Sequence, residues 1–96
     1  MTSVSLRGGE LNPKLFFPWI QQLTQQLGPD ILRLKGIIAL AGDPQRYVVQ
    51  GVHMIIEGNH QRAWKEGEPR QSRLVFIGRD LPEQLIRDGF QSCIVT

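Results

Sequence analysis

Residues 30–58 read DILRLKGIIALAGDPQRYVVQGVHMIIEG. Two apolar runs flank Gly42-Asp43-Pro44, and turn residues between apolar runs predict a long β-hairpin. Successive strand residues point to opposite faces. Leu32, Leu34, Ile38 and Leu40 therefore share one face of the first strand, and Ile31, Arg33, Lys35, Ile37 and Ala39 share the other. The second strand is predicted from about Arg46 to Glu57. It places Val48, Val52, Met54 and Ile56 on one face with Gln50, and Tyr47, Val49, His53 and Ile55 on the other with Gly51. Neither face is purely polar, so partial cover is expected on both.

Outward from the hairpin, Thr2–Arg7 alternates, with Val4 and Leu6 on one side and Ser3, Ser5 and Arg7 on the other. That is the pattern of a half-buried strand, and Gly8-Gly9 ends it. Asn12-Pro13 reads as an N-cap followed by proline at the first helical position. Phe16, Ile20, Leu23 and Leu27 then recur on one helix face with Trp19 beside them. Gln21, Gln22, Gln25 and Gln26 face solvent, and Gly28-Pro29 stops the helix. Pro18 removes the bond to the carbonyl of Lys14, which predicts a kink or a later helix start.

Beyond the hairpin, Gly58–Ser72 is polar and reads as a long loop holding Trp64. Arg73–Arg79 reads as a short buried strand. Asp80 and Glu83 have capping-box spacing, which predicts a helix to about Asp88 with Gly89 as its end. The tail then docks by Phe90, Cys93 and Ile94. The order β-α-β-β-β-α gives an α+β fold: a mostly antiparallel four-stranded sheet with two helices on one face.

Ninety-six residues suit a single domain spanning 1–96. The longest apolar run, Gly36–Gly42, falls far short of the roughly 20 residues of a membrane span, and no signal-peptide pattern opens the chain. A single cysteine, Cys93, cannot form an internal disulfide, so a reducing cytoplasmic setting is expected. The net charge of +2 is too small to argue for nucleic acid by itself.

The chain has no phosphate-binding G-x-x-x-x-G-K-[ST] loop, no G-x-S-x-G elbow and no H-E-x-x-H helix. Glu66 and Glu68 lie two apart in a polar stretch and make no convincing acid pair. No catalytic residue is assigned, and the chain is not expected to be an enzyme. His53, His60 and Cys93 are the only soft ligands. A strand end and the loop after it can converge, so these three form a candidate metal site. The competing reading is a half-buried His53, a solvated His60 and a small apolar Cys93. Arg33 and Lys35, with Arg46 or Arg73 and Tyr47 near, resemble a single-stranded RNA platform. The run lacks an aromatic RNP pattern, so an ordinary solvated face is favoured and nucleic acid is not the expected partner. Trp64 among Arg62, Lys65 and Arg70 has the composition of a protein-binding hot spot, or of a loop pinned by one large side chain.

Several stretches together resemble the C-terminal domain of CobW-type proteins. These are R-x-K-G at Arg33, Lys35 and Gly36, Q-G-V-H ending at His53, the loop Trp64, R-x-S-x-L-V-F-I-G from Arg70 to Gly78, and Cys93 after the last helix. That family consists of cytoplasmic P-loop GTPases linked to cobalamin synthesis and to zinc or other metal delivery. The resemblance runs from the Ser3 strand to Cys93. The family's GTPase domain, with its phosphate loop and C-x-C-C metal motif, has no counterpart here, so GTP hydrolysis and the principal metal site do not carry over. What the resemblance implies is a non-catalytic accessory domain with an interaction surface at Arg33, Lys35, Trp64 and Arg70. It implies no resident cofactor; the rival readings, drawn from the residues alone, are a metal-binding module holding zinc or cobalt transiently at His53, His60 and Cys93, and a nucleic-acid binder using the Arg33 and Lys35 face. Its partners would be a CobW-type GTPase domain, in cis or in trans, and a metalloprotein or cobaltochelatase-type client.

Overall fold

The structure is a computed structural model that describes residues 1–52 and 55–95. In chain order it holds β1 (Thr2–Gly8), α1 (Pro13–Leu27), one 3-10 turn (Gly28–Asp30), β2 (Ile31–Ile38), β3 (Gln45–Val52), β4 (Ile55–Ala63), β5 (Ser72–Gly78) and α2 (Glu83–Cys93). The strands form one five-stranded sheet in the order β1-β5-β2-β3-β4, and every neighbouring pair is antiparallel. The α+β class and the pairing of β2 with β3 follow the sequence; the strand count does not.

The fifth strand comes from the stretch that reads as the end of one strand and the start of a loop. Instead of running from Arg46 to Glu57, the chain breaks into β3 and β4, with Val52 paired to Ile55 and Gln50 to Glu57. Gly58 and Asn59 look like turn residues, yet both lie inside β4. Glycine stands there because the Tyr47 ring lies where a Cβ would sit, a close approach that only glycine permits within a strand. β4 is an edge strand and mostly exposed, so no apolar alternation marks it.

The two helices cover one face. α1 buries Phe16, Ile20, Leu23 and Thr24, and α2 buries Ile86, Phe90 and Cys93. These meet Val4 and Leu6 of β1, Leu34 and Ile38 of β2, and Leu74 and Phe76 of β5 in one cluster. A register shift between Ile31 and Arg33 puts an extra residue, Leu32, into β2 against β5. The shift turns Ile31 to the core alongside Leu34, where strict alternation would have sent Leu32. The opposite face carries no helix, so the partial cover expected on both faces is found on one.

Asn12 caps α1 as its residue type predicts, its side-chain oxygen accepting the Lys14 N–H at 2.9 Å. Pro18 does not delay the helix, which begins at Pro13 and carries Pro18 inside it. The second helix corrects two expectations. Asp80 is no cap: it sits at φ 48°, in the left-handed region that aspartate tolerates better than most residues. The helix starts at Glu83, which pairs with Arg87 one turn on at 2.8 Å. Gly89 does not end it either. α2 runs on to Cys93, and Gly89 lacks a side chain because the Trp19 indole fills that place. Trp19 in turn sets its ring edge-on to Phe76 and Phe90, with centroids 6.3 Å away in each case.

Ser72 ties the sheet together at one end. Its hydroxyl donates to the Gly9 carbonyl and accepts the Ala39 N–H, both at 2.9 Å, and the residue is fully buried. Ser72→Ala leaves the buried Ala39 N–H unpartnered and is expected to cost about 1–3 kcal/mol. Urea denaturation measures it, with Ser3→Ala on the exposed side of β1 as the neutral control.

Candidate functional site

The open sheet face is built from three rows that cross all five strands. One runs Ser3, Ile77, Arg33, Val52, Ile55; the next Ser5, Val75, Lys35, Gln50, Glu57; the third Arg7, Arg73, Ile37, Val48, Asn59. Arg33 and Lys35 are exposed, as sequence alternation places them. With Arg73 they frame Ile37, Val75 and Ile77 around a shallow groove of about 410 Å³. Val52 and Ile55 stand 58% and 70% exposed at one end of the face. Sequence reasoning named Arg33 and Lys35 but missed Arg7, because nothing in its own strand shows that it lands opposite Arg73.

Trp64 and Arg70 lie together at another place, beside the β2–β3 turn. Arg70 Nη2 donates to the carbonyls of Leu40 at 2.9 Å and Asp43 at 2.8 Å, and the guanidinium also reaches Glu10 Oε2. The Trp64 ring is flanked by the guanidinium groups of Arg46 and Arg70, at 5.7 and 5.5 Å from its centroid, within cation–π range. Its backbone N–H donates to the Pro44 carbonyl at 3.0 Å. Glu68 accepts a two-pronged bond from Arg62, at 2.9 and 2.8 Å, and the Lys65 N–H at 2.8 Å. The segment after β4 is thus latched to the turn, and Arg70 spends its Nε and Nη2 donors inside the molecule.

The three candidate metal ligands do not assemble among the described residues, where no group of three or more His, Cys, Asp and Glu side chains comes together. His53 lies outside the described residues. His60, expected in a loop, lies in β4 and donates from Nε2 to Asp43 Oδ2 at 2.6 Å, with its ring edge-on to Tyr47 at 5.3 Å. Cys93 is buried in the core and its thiol bonds the Gly89 carbonyl at 3.3 Å. Burial pushes that thiol above its ordinary pKa, away from the thiolate form that binds metals.

Residues 1–94 match the family model of the cobalamin synthesis protein cobW C-terminal domain. The chain is 38% identical over 65 residues to the zinc chaperone CobW of Pseudomonas aeruginosa, covering 68% of this chain and 17% of that protein. It is 44% identical over 66 residues to the zinc chaperone CobW of a Sinorhizobium species, covering 68% and 19%. To the zinc chaperone YjiA of Escherichia coli it is 35% identical over 71 residues, covering 74% and 22%. Its fold superposes on the Zn(II)-bound YjiA GTPase from E. coli with a TM-score of 0.92 at 27% identity, over 98% of this chain and 30% of that one. A triple mutant of the same GTPase gives the same figures. The chain therefore spans about a fifth of the length of the curated relatives it matches.

The latch makes part of the stability depend on pH. The Arg62 guanidinium first, and the Lys65 N–H second, hold the Glu68 carboxyl down to about 2 from 4.5. The Gln45 N–H and His60 hold Asp43 below its ordinary value as well. A carboxyl with a depressed folded-state pKa stabilises fully above its unfolded value, and that stability is lost as pH falls through the folded one. Glu68→Gln is therefore expected to be less stable than wild type at pH 7, the gap closing as pH falls from 4.5 towards 2. Thermal denaturation of both proteins across that range measures it; a gap that stays constant contradicts the assignment.

Proposed function

The chain belongs to the CobW C-terminal domain family, and we propose that it is a non-catalytic accessory domain supporting GTP-dependent metal delivery. In this reading it docks on a CobW-type GTPase domain, in cis or in trans, or on the client that receives the metal. Zinc homeostasis and cobalamin synthesis are the settings the family indicates, a metalloprotein or cobaltochelatase-type protein is the class of client, and the cytoplasm is the compartment. Among the described residues no helix is long and apolar enough to cross a membrane.

The observation that carries the reading is the uncovered sheet face. Both helices are spent on one side, and the other side carries exposed Val52 and Ile55 on a rigid five-stranded platform. A contiguous exposed apolar patch rimmed by polar residues marks a binding surface, and here Ile37, Val75 and Ile77 line a groove rimmed by Arg33, Lys35 and Arg73. The relatives' lengths support the reading, since they leave some 70% or more of a chaperone chain to which such a face could bind. Fold alone does not assign function, so the weight rests on this face and on the match to GTPase-linked relatives.

The test is direct binding. The 96-residue chain is titrated by calorimetry into the part of the E. coli YjiA GTPase that it does not match, loaded with GDP or with a GTP analogue. A Kd in the micromolar range or tighter, differing between the two nucleotides, is expected. Absence of binding at about 100 µM, where any useful docking would show, overturns the reading. Zinc titration of the chain alone is expected to show no tight site. Micromolar zinc binding lost on His60→Ala would instead make the chain a metal-binding module using His60 with His53 or Cys93.

A further inference from the structure

Resting on the accessory reading, we propose that the open sheet face binds an acidic, aliphatic protein surface on the GTPase domain, and that the unpaired cations of the central strands select it. Of the eight lysines and arginines that form no ion pair among the described residues, four lie together in the rows of this face, the others being Lys14, Arg46, Lys65 and Arg79. Arg62, Arg70 and Arg87 each hold a carboxylate within the chain. Arg7, Arg33, Lys35 and Arg73 are exposed and make no ion pair with any described residue. Glu57 is the one carboxylate in the three rows. The face therefore carries a surplus of three positive charges, while the whole chain carries +2, so the rest of the molecule is slightly acidic. The excess is local.

Two of these cations are placed against their own interest. Arg7 stands directly opposite Arg73 on neighbouring antiparallel strands, and like charges so placed destabilise a sheet. An arriving carboxylate between them would relieve the repulsion. Arg33 and Lys35 are two residues apart on one strand, about 6–7 Å by strand rise, a spacing that two neighbouring carboxylates can match. The surface between the cations is aliphatic: Ile37, Val75 and Ile77 line the groove they frame. A single-stranded nucleic acid needs flat rings for its bases to stack on, and the three rows contain no aromatic side chain. Cations ringing an aliphatic patch instead suit a protein, whose carboxylates steer the approach and whose apolar side chains fill the groove.

The experiment is the same calorimetric titration against the unmatched part of the E. coli YjiA GTPase, with two variants of the chain. One is Arg33→Glu with Lys35→Glu; the other is Ile55→Asp, a highly exposed position at which folding is not at stake. Circular dichroism checks that both keep their structure. Wild-type binding is expected to weaken severalfold between 50 and 300 mM salt, a range across which screening of exposed charges deepens. The charge reversal is expected to weaken it at least tenfold and to abolish most of the salt dependence. Ile55→Asp is expected to weaken it severalfold with the salt dependence kept. If wild type binds and both variants bind equally well, this face is not the docking surface, while the accessory reading stands. If wild type fails to bind at all, the accessory reading falls and this proposal with it. If wild type binds a poly-uridine oligonucleotide instead, and the charge reversal abolishes that, the face is a nucleic-acid platform and the proposal is overturned.

Discussion

The fully buried hydroxyl of Ser72 is the point on which the architecture turns. It opens β5, the strand between β1 and β2, and bonds to the chain just after β1 at Gly9 and just after β2 at Ala39. Around it the backbone closes a second circuit: Leu11 N–H donates to the Ala39 carbonyl and Ala41 N–H to the Leu11 carbonyl, both at 2.8 Å. Three segments far apart in sequence are thereby fixed at the same end of the sheet. The entry of α1 follows, since Asn12 N–H donates to the Cys93 carbonyl at 2.8 Å, which joins the start of one helix to the end of the other. Backbone groups buried this deeply must be paired, and one serine side chain supplies the pairing that strand geometry cannot.

With that end fixed, both helices have to lie on the same face. α1 leaves the Leu11 junction and α2 returns to it, so neither can cross to the far side. The consequence is a core in which Phe16, Phe76 and Phe90 are almost wholly buried and an opposite face on which no helix rests. The exposed aliphatic residues of that face are therefore a product of topology. Nothing within the described chain is free to cover them.

Much of this is legible in the residues themselves, because the signals are local. Asn12-Pro13 opens α1 and Gly28-Pro29 closes it. Alternation places Arg33 and Lys35 outward, and the Gly42 turn joins β2 to β3, with Gly42 at φ 81°. What escapes the sequence is set by distant partners. β4 is hidden because an edge strand has little apolar face to alternate, and because Gly58 answers to the ring of Tyr47. Gly89 imitates a helix end, yet its missing side chain answers to Trp19. Ile31 replaces Leu32 in the core through a bulge that only the pairing with β5 reveals. The candidate site divides the same way. Arg33 and Lys35 are readable from one strand, with Arg73 as a candidate neighbour, whereas Arg7 joins them only through register. Trp64 and Arg70 share a composition with hot spots, but Arg70 has its donors taken up by Leu40, Asp43 and Glu10.

That division of labour among the arginines separates holding from binding. Arg70 and Arg62 sit where carboxylates and carbonyls of the same chain surround them, and their planar forks bond two or more acceptors at once. They order the segment after β4 and leave little for a partner. Arg33, Lys35 and Arg73 have the opposite surroundings: valine and isoleucine neighbours, strands paired on both sides, and no ion-pair partner among the described residues. A cation on a rigid strand loses little further freedom when it meets a carboxylate. The aliphatic floor around it raises the strength of that contact by excluding water. A loop-borne lysine cluster of the same net charge would have neither advantage. The arrangement favours a partner of defined shape over a diffuse polyanion, because it rewards carboxylates only when apolar groups arrive beside them.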